Sequence, residues 1–327
     1  MKYNHKDTSI VIPTYNRSND LKIVLGSIMA LSKKPREIIV TDQSEDQKVK
    51  NLCKKYKLVK YIRSSPPSIT IARNVGIKNA SKHSKIIVFL DDDVTLDKDY
   101  LEKILEVYNM YPNAKGVSGF WSARGLLNFN KWPVWKKIFF YIEQQIKRLF
   151  LIGYFEKDKI KIKGPFCNTY PISSNKIIHA EWLKGMNMSY KREVFQKVKF
   201  DENLLGYTVV EDIGFSYSVN NFFQNSLYTT PFAKIEHRFS QKERYDFYKM
   251  MYINMVDHFY LFYKMFNKSS KEKIKFVWSL FGIFLLRLFL LLTFKNKNYL
   301  KFRYFTTSLL YCIKNKTKIK KGILRDF

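Results

Sequence analysis

A chain of 327 residues can bury a sizeable core and leaves room for one large domain with an appendage, or for two domains. Its 58 Lys and Arg against 28 Asp and Glu give a net charge of +30, which predicts anionic partners: phosphorylated substrates, nucleic acid or an anionic membrane surface. Aromatic residues at 17% exclude a disordered basic tail, and three scattered cysteines, Cys53, Cys167 and Cys312, exclude a disulfide framework or a zinc site. That cysteine usage suits a reducing cytoplasm, and the polar stretch Met1 to Ser9 reads as no signal peptide.

In chain order, Thr8 to Thr14 predicts a short apolar strand broken by Pro13, followed by the turn Tyr15-Asn16-Arg17. Leu21, Val24, Leu25 and Ile28 recur at helical spacing between Ser18 and Leu31. Glu37 to Asp42 is a second strand that ends in a carboxylate, and Val49, Leu52, Cys53 and Tyr56 mark the next helix face. A third strand, Leu58 to Ile62, leads to a helix bearing Ile71, Val75 and Ile77. Ile86 to Leu90 then reads as a buried strand followed directly by Asp91, Asp92 and Asp93, with a helix expected to begin near Asp97. Strand and helix alternate throughout, which predicts an α/β fold with a mostly parallel sheet.

Ligands of open α/β sheets bind at the carboxyl ends of the strands. Three adjacent carboxylates there repel one another unless a cation sits among them. A divalent metal bridging to phosphate relieves the repulsion, because Mg²⁺ favours one or two carboxylates plus substrate oxygens. The same triplet also reads as a solvated acidic turn that caps the next helix. No G-x-G-x-x-G follows the first strand and no G-x-x-x-x-G-K occurs, which argues against a dinucleotide dehydrogenase and a P-loop NTPase.

Five motifs, Ser9-Ile-Val-Ile-Pro-Thr-Tyr-Asn-Arg17, Ile38-Ile-Val-Thr-Asp42, Ala72-Arg-Asn-Val-Gly76, Phe89-Leu-Asp-Asp-Asp93 and Trp182-Leu-Lys-Gly-Met-Asn-Met-Ser189, follow one another in order. With Phe200-Asp-Glu202 and Glu211-Asp212, they resemble family-2 glycosyltransferases over roughly residues 8 to 240. The resemblance implies a GT-A fold, Rossmann-like with helices flanking the sheet, and an inverting enzyme that uses nucleotide-sugar donors. It implies that Asp91 and Asp93 bind Mn²⁺ or Mg²⁺ on the donor diphosphate, with His237 as a further metal or phosphate contact. Asp42 matches the carboxylate that contacts the nucleotide base. Pro13, Thr14, Tyr15 and Arg17 match the lining of the nucleotide pocket, Arg73 falls in the segment facing the diphosphate, and Asp92, between the metal pair, is counted with them among the nucleotide-sugar-binding residues. Asp212 matches the catalytic base, with Glu211 as the next candidate.

The chemistry of such a transfer asks for those groups. A carboxylate within hydrogen-bond reach takes the proton of the acceptor hydroxyl, and a metal stabilises charge on the leaving diphosphate. Glu211-Asp212 also reads as the acidic first turn of a helix running to about Asn225, and His237 as a surface hydrogen-bonder beside Arg238. Trp182 and Gly185 are candidates for the acceptor side, where glycine lets the backbone approach a sugar and the indole either stacks on a ring or packs in the core.

Two stretches exceed a minimal catalytic domain. The segment from about 131 to 160 carries Trp132, Trp135, Phe139, Phe140 and Ile142 among basic residues, as an interfacial helix or a packed insertion would. Phe276 to Phe294 holds a single charge, Arg287, and fourteen Leu, Ile, Val or Phe residues, which suits a spanning segment. Ten Lys or Arg follow from residue 295 onward, so one crossing would run against the positive-inside rule. An in-plane or re-entrant arrangement with Tyr299 to Ile313, joined through a helix from Tyr245 to Phe266, fits that charge better, and a soluble helical subdomain is the alternative. The expected organisation is a GT-A domain over 1–240 with the insertion near 131–160, then a helical, basic, membrane-associated region over 241–327. The expected acceptor is a glycan or a polyprenyl-phosphate-linked sugar at the cytoplasmic face of the cell membrane, with no nucleic-acid partner. A metal-dependent nucleotidyltransferase is the alternative enzyme, and a basic nucleic-acid-binding protein explains the charge but not the acidic triplet.

Overall fold

A computed structural model describes residues 2–120, 131–240, 246–293 and 295–324. In chain order the elements are β1 (Thr8–Thr14), α1 (Ser18–Met29), β2 (Glu37–Asp42), α2 (Lys48–Cys53), β3 (Val59–Arg63), α3 (Ile69–Asn79), β4 (Ile86–Phe89), β5 (Val94–Leu96), α4 (Tyr100–Met110) and β6 (Gly116–Phe120). They continue as α5 (Val134–Leu149), β7 (Tyr154–Phe155), β8 (Ile162–Gly164), β9 (Cys167–Tyr170), β10 (Ile178–Ala180), β11 (Met188–Lys191), α6 (Glu211–Phe222) and β12 (Leu227–His237). Four helices follow: α7 (Phe247–Leu261), α8 (Ser270–Thr293), α9 (Lys295–Lys314) and α10 (Lys316–Lys320).

The main sheet runs β10-β12-β6-β11-β4-β1-β2-β3, with β5 paired to β12. The four strands β3, β2, β1 and β4 are parallel, as the early alternation of strand and helix predicts. Beyond them the sheet is mixed rather than mostly parallel. β11 lies antiparallel to both β4 and β6. The apolar stripe of α1, Leu21, Val24, Leu25 and Ile28, is fully buried together with Ile10, Ile12, Ile38, Val40, Ile86 and Val88 of the strands. That burial places the loops after β1, β2 and β4 at one edge of the sheet, where the first candidate residues lie.

The glycine of the Ala72-to-Gly76 motif has a packing role. A Cβ at Gly76 would stand 2.3 Å from Val11 Cγ1 on β1, so α3 can lie this close to the sheet only without a side chain there. Gly76→Ala is expected to lower stability by about 1–3 kcal/mol through overpacking. Urea unfolding checks it, and the double variant with Val11→Ala should regain most of the loss.

One boundary differs from the sequence expectation. The helix expected near Asp97 begins at Tyr100, because Val94 to Leu96 form β5 and pair antiparallel with Ile235 to His237.

Packing divides the chain into two units: residues 1–122, 173–207 and 211–244 form the first, and residues 123–172, 208–210 and 245–327 the second. The basic aromatic segment near 131–160 thus packs in the unit of the C-terminal helices. There Trp278 Nε1 donates to the Leu149 carbonyl at 2.8 Å and Ser279 Oγ to the Leu151 carbonyl at 2.9 Å. Gly282 lets Phe150 lie against α8, since a Cβ there would meet the Phe150 Cβ at 2.2 Å. α7 continues to Phe266 in a wider π turn, and the Phe262 and Phe276 rings stack with centroids 3.9 Å apart. Tyr245 and Phe294, the outer ends expected for the joining helix and the apolar run, lie outside the described residues.

Candidate active site

The fully buried strand β4 ends at the acidic triplet. Asp91, Asp93 and His237 each offer one ligand atom, all within 4.8 Å of one another. The register of β5 on β12, with His237 opposite Val94, delivers the imidazole to this point. His237 Nε2 lies 2.9 Å from Asp93 Oδ1, and the Ser240 N–H donates to Asp93 Oδ2 at 3.0 Å. Burial would raise Asp93, but the histidine and the Ser240 N–H outweigh it and hold the carboxyl below its ordinary value. Asp91 is the more open ligand, its side chain 28% exposed. Two carboxylate oxygens and an imidazole suit Mn²⁺ or Mg²⁺. His237 Nδ1 is buried without a hydrogen-bond partner among the described residues. On donor chemistry and on that unsatisfied nitrogen, the residues fit a hard divalent cation.

Asp92 points the other way. It accepts from Thr14 Oγ1 at 2.7 Å and from Arg17 Nη1 at 3.2 Å, which ties the first turn to the acidic strand. Burial pushes Asp92 up to about 7 against the pull of Arg17 and Thr14. The first turn has no glycine, and Asn16 supplies its left-handed backbone at φ 54, a conformation asparagine tolerates better than most residues. Pro13 is buried in β1, while Tyr15 and Arg17 remain partly accessible. Asp42, at the end of β2, is fully buried. It accepts from Tyr61 Oη at 2.9 Å, from Arg63 Nη1 at 3.3 Å and from the Ser44 N–H at 2.9 Å.

Arg73 lies at the centre of the second cluster. Its side chain is 1% exposed, with Nη1 3.0 Å from Glu211 Oε1 and Nη2 3.4 Å from Asp91 Oδ1 and 3.1 Å from the Gly185 carbonyl. One guanidinium therefore joins the metal-type cluster to the Glu211-Asp212 pair. Asp212 accepts from the Gly185 N–H at 2.8 Å through Oδ2 and from the Ile213 N–H at 2.7 Å through Oδ1. Burial raises Asp212 above its ordinary value despite those bonds. Burial, then the neighbouring Asp212 charge, raises Glu211 above its ordinary value against the pull of Arg73. Gly185 permits this crowding, since a Cβ there would stand 3.0 Å from Arg73 Nη2 and 3.2 Å from Glu211 Oε1. Trp182 is 8% exposed, with Lys184 Nζ 5.3 Å from its ring centre. Lys184 is pushed down to about 8 by burial, with Asp212 pulling the other way.

The structure thus brings together Asp91, Asp93, His237, Arg73, Glu211, Asp212 and Gly185, and separately gathers Thr14, Arg17 and Asp92. Sequence reasoning missed Ser240, Tyr61, Arg63 and Lys184. Lys184 was legible inside the Trp182-to-Ser189 motif, whereas the Ser240 N–H becomes visible only once β12 is in register.

The model of glycosyl transferase family 2 matches residues 9–176; Glu211, Asp212 and His237 lie beyond that match and are placed by geometry. The glycosyltransferase GlyA of Streptococcus pneumoniae is 26% identical over 206 residues, and the match spans 61% of this chain but only 26% of GlyA. The poly(ribitol-phosphate) beta-N-acetylglucosaminyltransferase TarP of Staphylococcus aureus is 24% identical over 316 residues, covering 85% of this chain and 94% of TarP. Among solved structures, the mannosyltransferase PcManGT of Pyrobaculum calidifontis, in complex with GDP-Man and Mn²⁺, aligns with a TM-score of 0.53 at 13% identity, over 95% of this chain and 76% of that one. That likeness speaks for the fold, which is GT-A. With a matched region covering half of its length, the chain belongs to glycosyl transferase family 2.

Proposed function

We propose that the protein transfers a sugar from a nucleotide-sugar donor, with inversion, to a hydroxyl of a glycan or polyprenyl-phosphate-linked acceptor at the cytoplasmic face of the cell membrane. The observation that carries this reading is the bridge of Arg73 from Asp91 to Glu211, which sets a cation-type cluster beside a buried carboxylate pair.

Asp212, fixed by two backbone N–H groups, accepts the proton of the acceptor hydroxyl as its oxygen attacks the sugar carbon. A single base and a single displacement give inversion. Asp91, Asp93 and His237 would hold Mn²⁺ or Mg²⁺, which supplies stabilisation of the charge on the departing nucleoside diphosphate. Asp42, kept in place by Tyr61 and Arg63, faces the nucleotide base, and Pro13, Thr14, Tyr15 and Arg17 line its pocket. Asp92 fixes that lining to the acidic strand. Arg73 orients the two carboxylate groups, while Gly185 and Trp182 shape the acceptor wall.

TarP, by its name, acts on poly(ribitol-phosphate), and a chain of charge +30 is suited to an anionic acceptor of that kind. The membrane-face reading is supported by α8, the described helix that is long and apolar enough to cross a membrane, of whose most apolar stretch 17% is buried. It is also supported by α5, which exposes Trp135, Ile138, Phe139 and Ile142 on one face beside Lys136 and Lys137.

Calorimetry with UDP-, GDP- and dTDP-sugars, each with and without Mn²⁺, tests the donor reading. One donor should bind only with the metal, and Asp93→Ala should lose that binding. Tight binding that survives both EDTA and Asp93→Ala would overturn it.

A further inference from the structure

Residues between Phe259 and Lys320 enclose a cleft of about 730 Å³ in the helical unit, bounded by the end of α7, by α8 and α9, and by α10. That size lies within the roughly 300–1,000 Å³ of small-ligand sites. Leu280 and Phe284 of α8 and Leu309 and Ile313 of α9 form much of its wall. The wall is open to solvent in part, with Phe281 46% and Ile313 58% exposed. Lys273, Lys316 and Lys320 share the lining. All three are exposed, and none forms an ion pair among the described residues. Lys316 and Lys320 lie one turn apart on the same face of α10, and Lys320 Nζ stands 5.2 Å from the Tyr263 ring centre.

An apolar trough bordered by unpaired ammonium groups matches a ligand with a hydrocarbon chain and an anionic head. A water-soluble anion would leave the apolar wall wet, and a neutral hydrocarbon would leave the lysines without a counter-charge. We propose that this cleft holds one hydrocarbon chain of an anionic membrane phospholipid, with the phosphate met by Lys273, Lys316 and Lys320. The proposal rests on the membrane-face reading and gives it a stoichiometric lipid site in addition to a surface.

Calorimetric titration of the full chain with dodecyl phosphate, decyl phosphate, inorganic phosphate and dodecyl maltoside tests it, with the amphiphiles kept below their micelle concentrations. One dodecyl phosphate should bind per chain, about fifteenfold tighter than decyl phosphate, from about fourfold per methylene buried. Inorganic phosphate should not bind, and the neutral head of dodecyl maltoside should weaken binding at least tenfold. Leu280→Trp should fill the cleft and abolish binding, with circular dichroism reporting on its fold. The exposed pair Lys316→Glu and Lys320→Glu does not depend on packing and should weaken binding at least tenfold. Binding independent of chain length, or unchanged in the lysine pair, overturns the proposal. So does an oligomer that dissociates in Leu280→Trp, because the cleft would then belong to a second copy of the chain. Wild-type protein that floats with phosphatidylcholine–phosphatidylglycerol vesicles yet takes up no dodecyl phosphate also overturns it, while leaving the membrane-face reading intact. Donor binding in the same preparation reports separately on the glycosyltransferase reading.

Discussion

Asp212→Asn is expected to leave donor affinity near that of the wild type while transfer slows by roughly two to four orders of magnitude, the usual contribution of a positioned acid or base. Asparagine keeps the shape but has a single accepting oxygen, so it retains only one of the bonds from the Gly185 and Ile213 N–H groups; donor affinity held near that of the wild type is what separates a missing proton acceptor from a collapsed loop. The pH profile gives a second readout. A base works only when deprotonated, and burial holds the Asp212 carboxyl above its ordinary value. Transfer should therefore fall on acidification through a pKa displaced upward from that of a free aspartate, and Asp212→Asn should erase that limb. Single-turnover kinetics with saturating donor measures both effects. Wild-type rates in the asparagine variant would move the role elsewhere, with Glu211 the first alternative.

Much of this site is legible in the sequence for a definable reason. The strands before Asp42 and Asp91 are continuous apolar runs that can only be central, so their ends fall where a parallel sheet gathers ligands. Local chemistry of that kind survives without coordinates. Long-range register does not. His237 reaches Asp93 through the pairing of β5 with β12, and nothing in Val94-Thr95-Leu96 distinguishes a three-residue strand from the start of a helix. Arg73 illustrates a second limit. Its motif places it in the segment facing the diphosphate, and nothing local in that motif foretells that its nitrogens also reach Glu211, Asp91 and the Gly185 carbonyl. The partner of the amphipathic segment near 131–160 was similarly hidden, because a stripe of aromatics does not say whether it meets a sheet, a lipid or α8.

Arg73→Met is expected to have the largest effect on stability. The guanidinium is fully buried against Glu211, itself 8% exposed, so its removal leaves that side chain either an unpaired charge or obliged to take up a proton in a place with little water. Breaking a buried pair on one side costs about 3–5 kcal/mol, a large part of the roughly 5–15 kcal/mol that holds a typical domain folded. Adding Glu211→Gln should recover a substantial share, since the uncompensated charge is then gone. Chemical denaturation of the two variants and the wild type checks this. Equal stability of Arg73→Met and the wild type would mean that water reaches the cluster and that the bridge is not a buried one.

The direction of β11 has a consequence for how the chain is made. β1 to β4 are complete once residue 89 is synthesised, and they can pair with one another as soon as they clear the exit tunnel. β6 cannot join them, because β11 must lie between β4 and β6 and ends only at Lys191. At roughly 5–20 residues per second, the growing chain therefore carries an open β4 edge for about 5–20 s. Unpaired edges recruit other strands, so the nascent chain in this interval is the form of the molecule most in need of a chaperone.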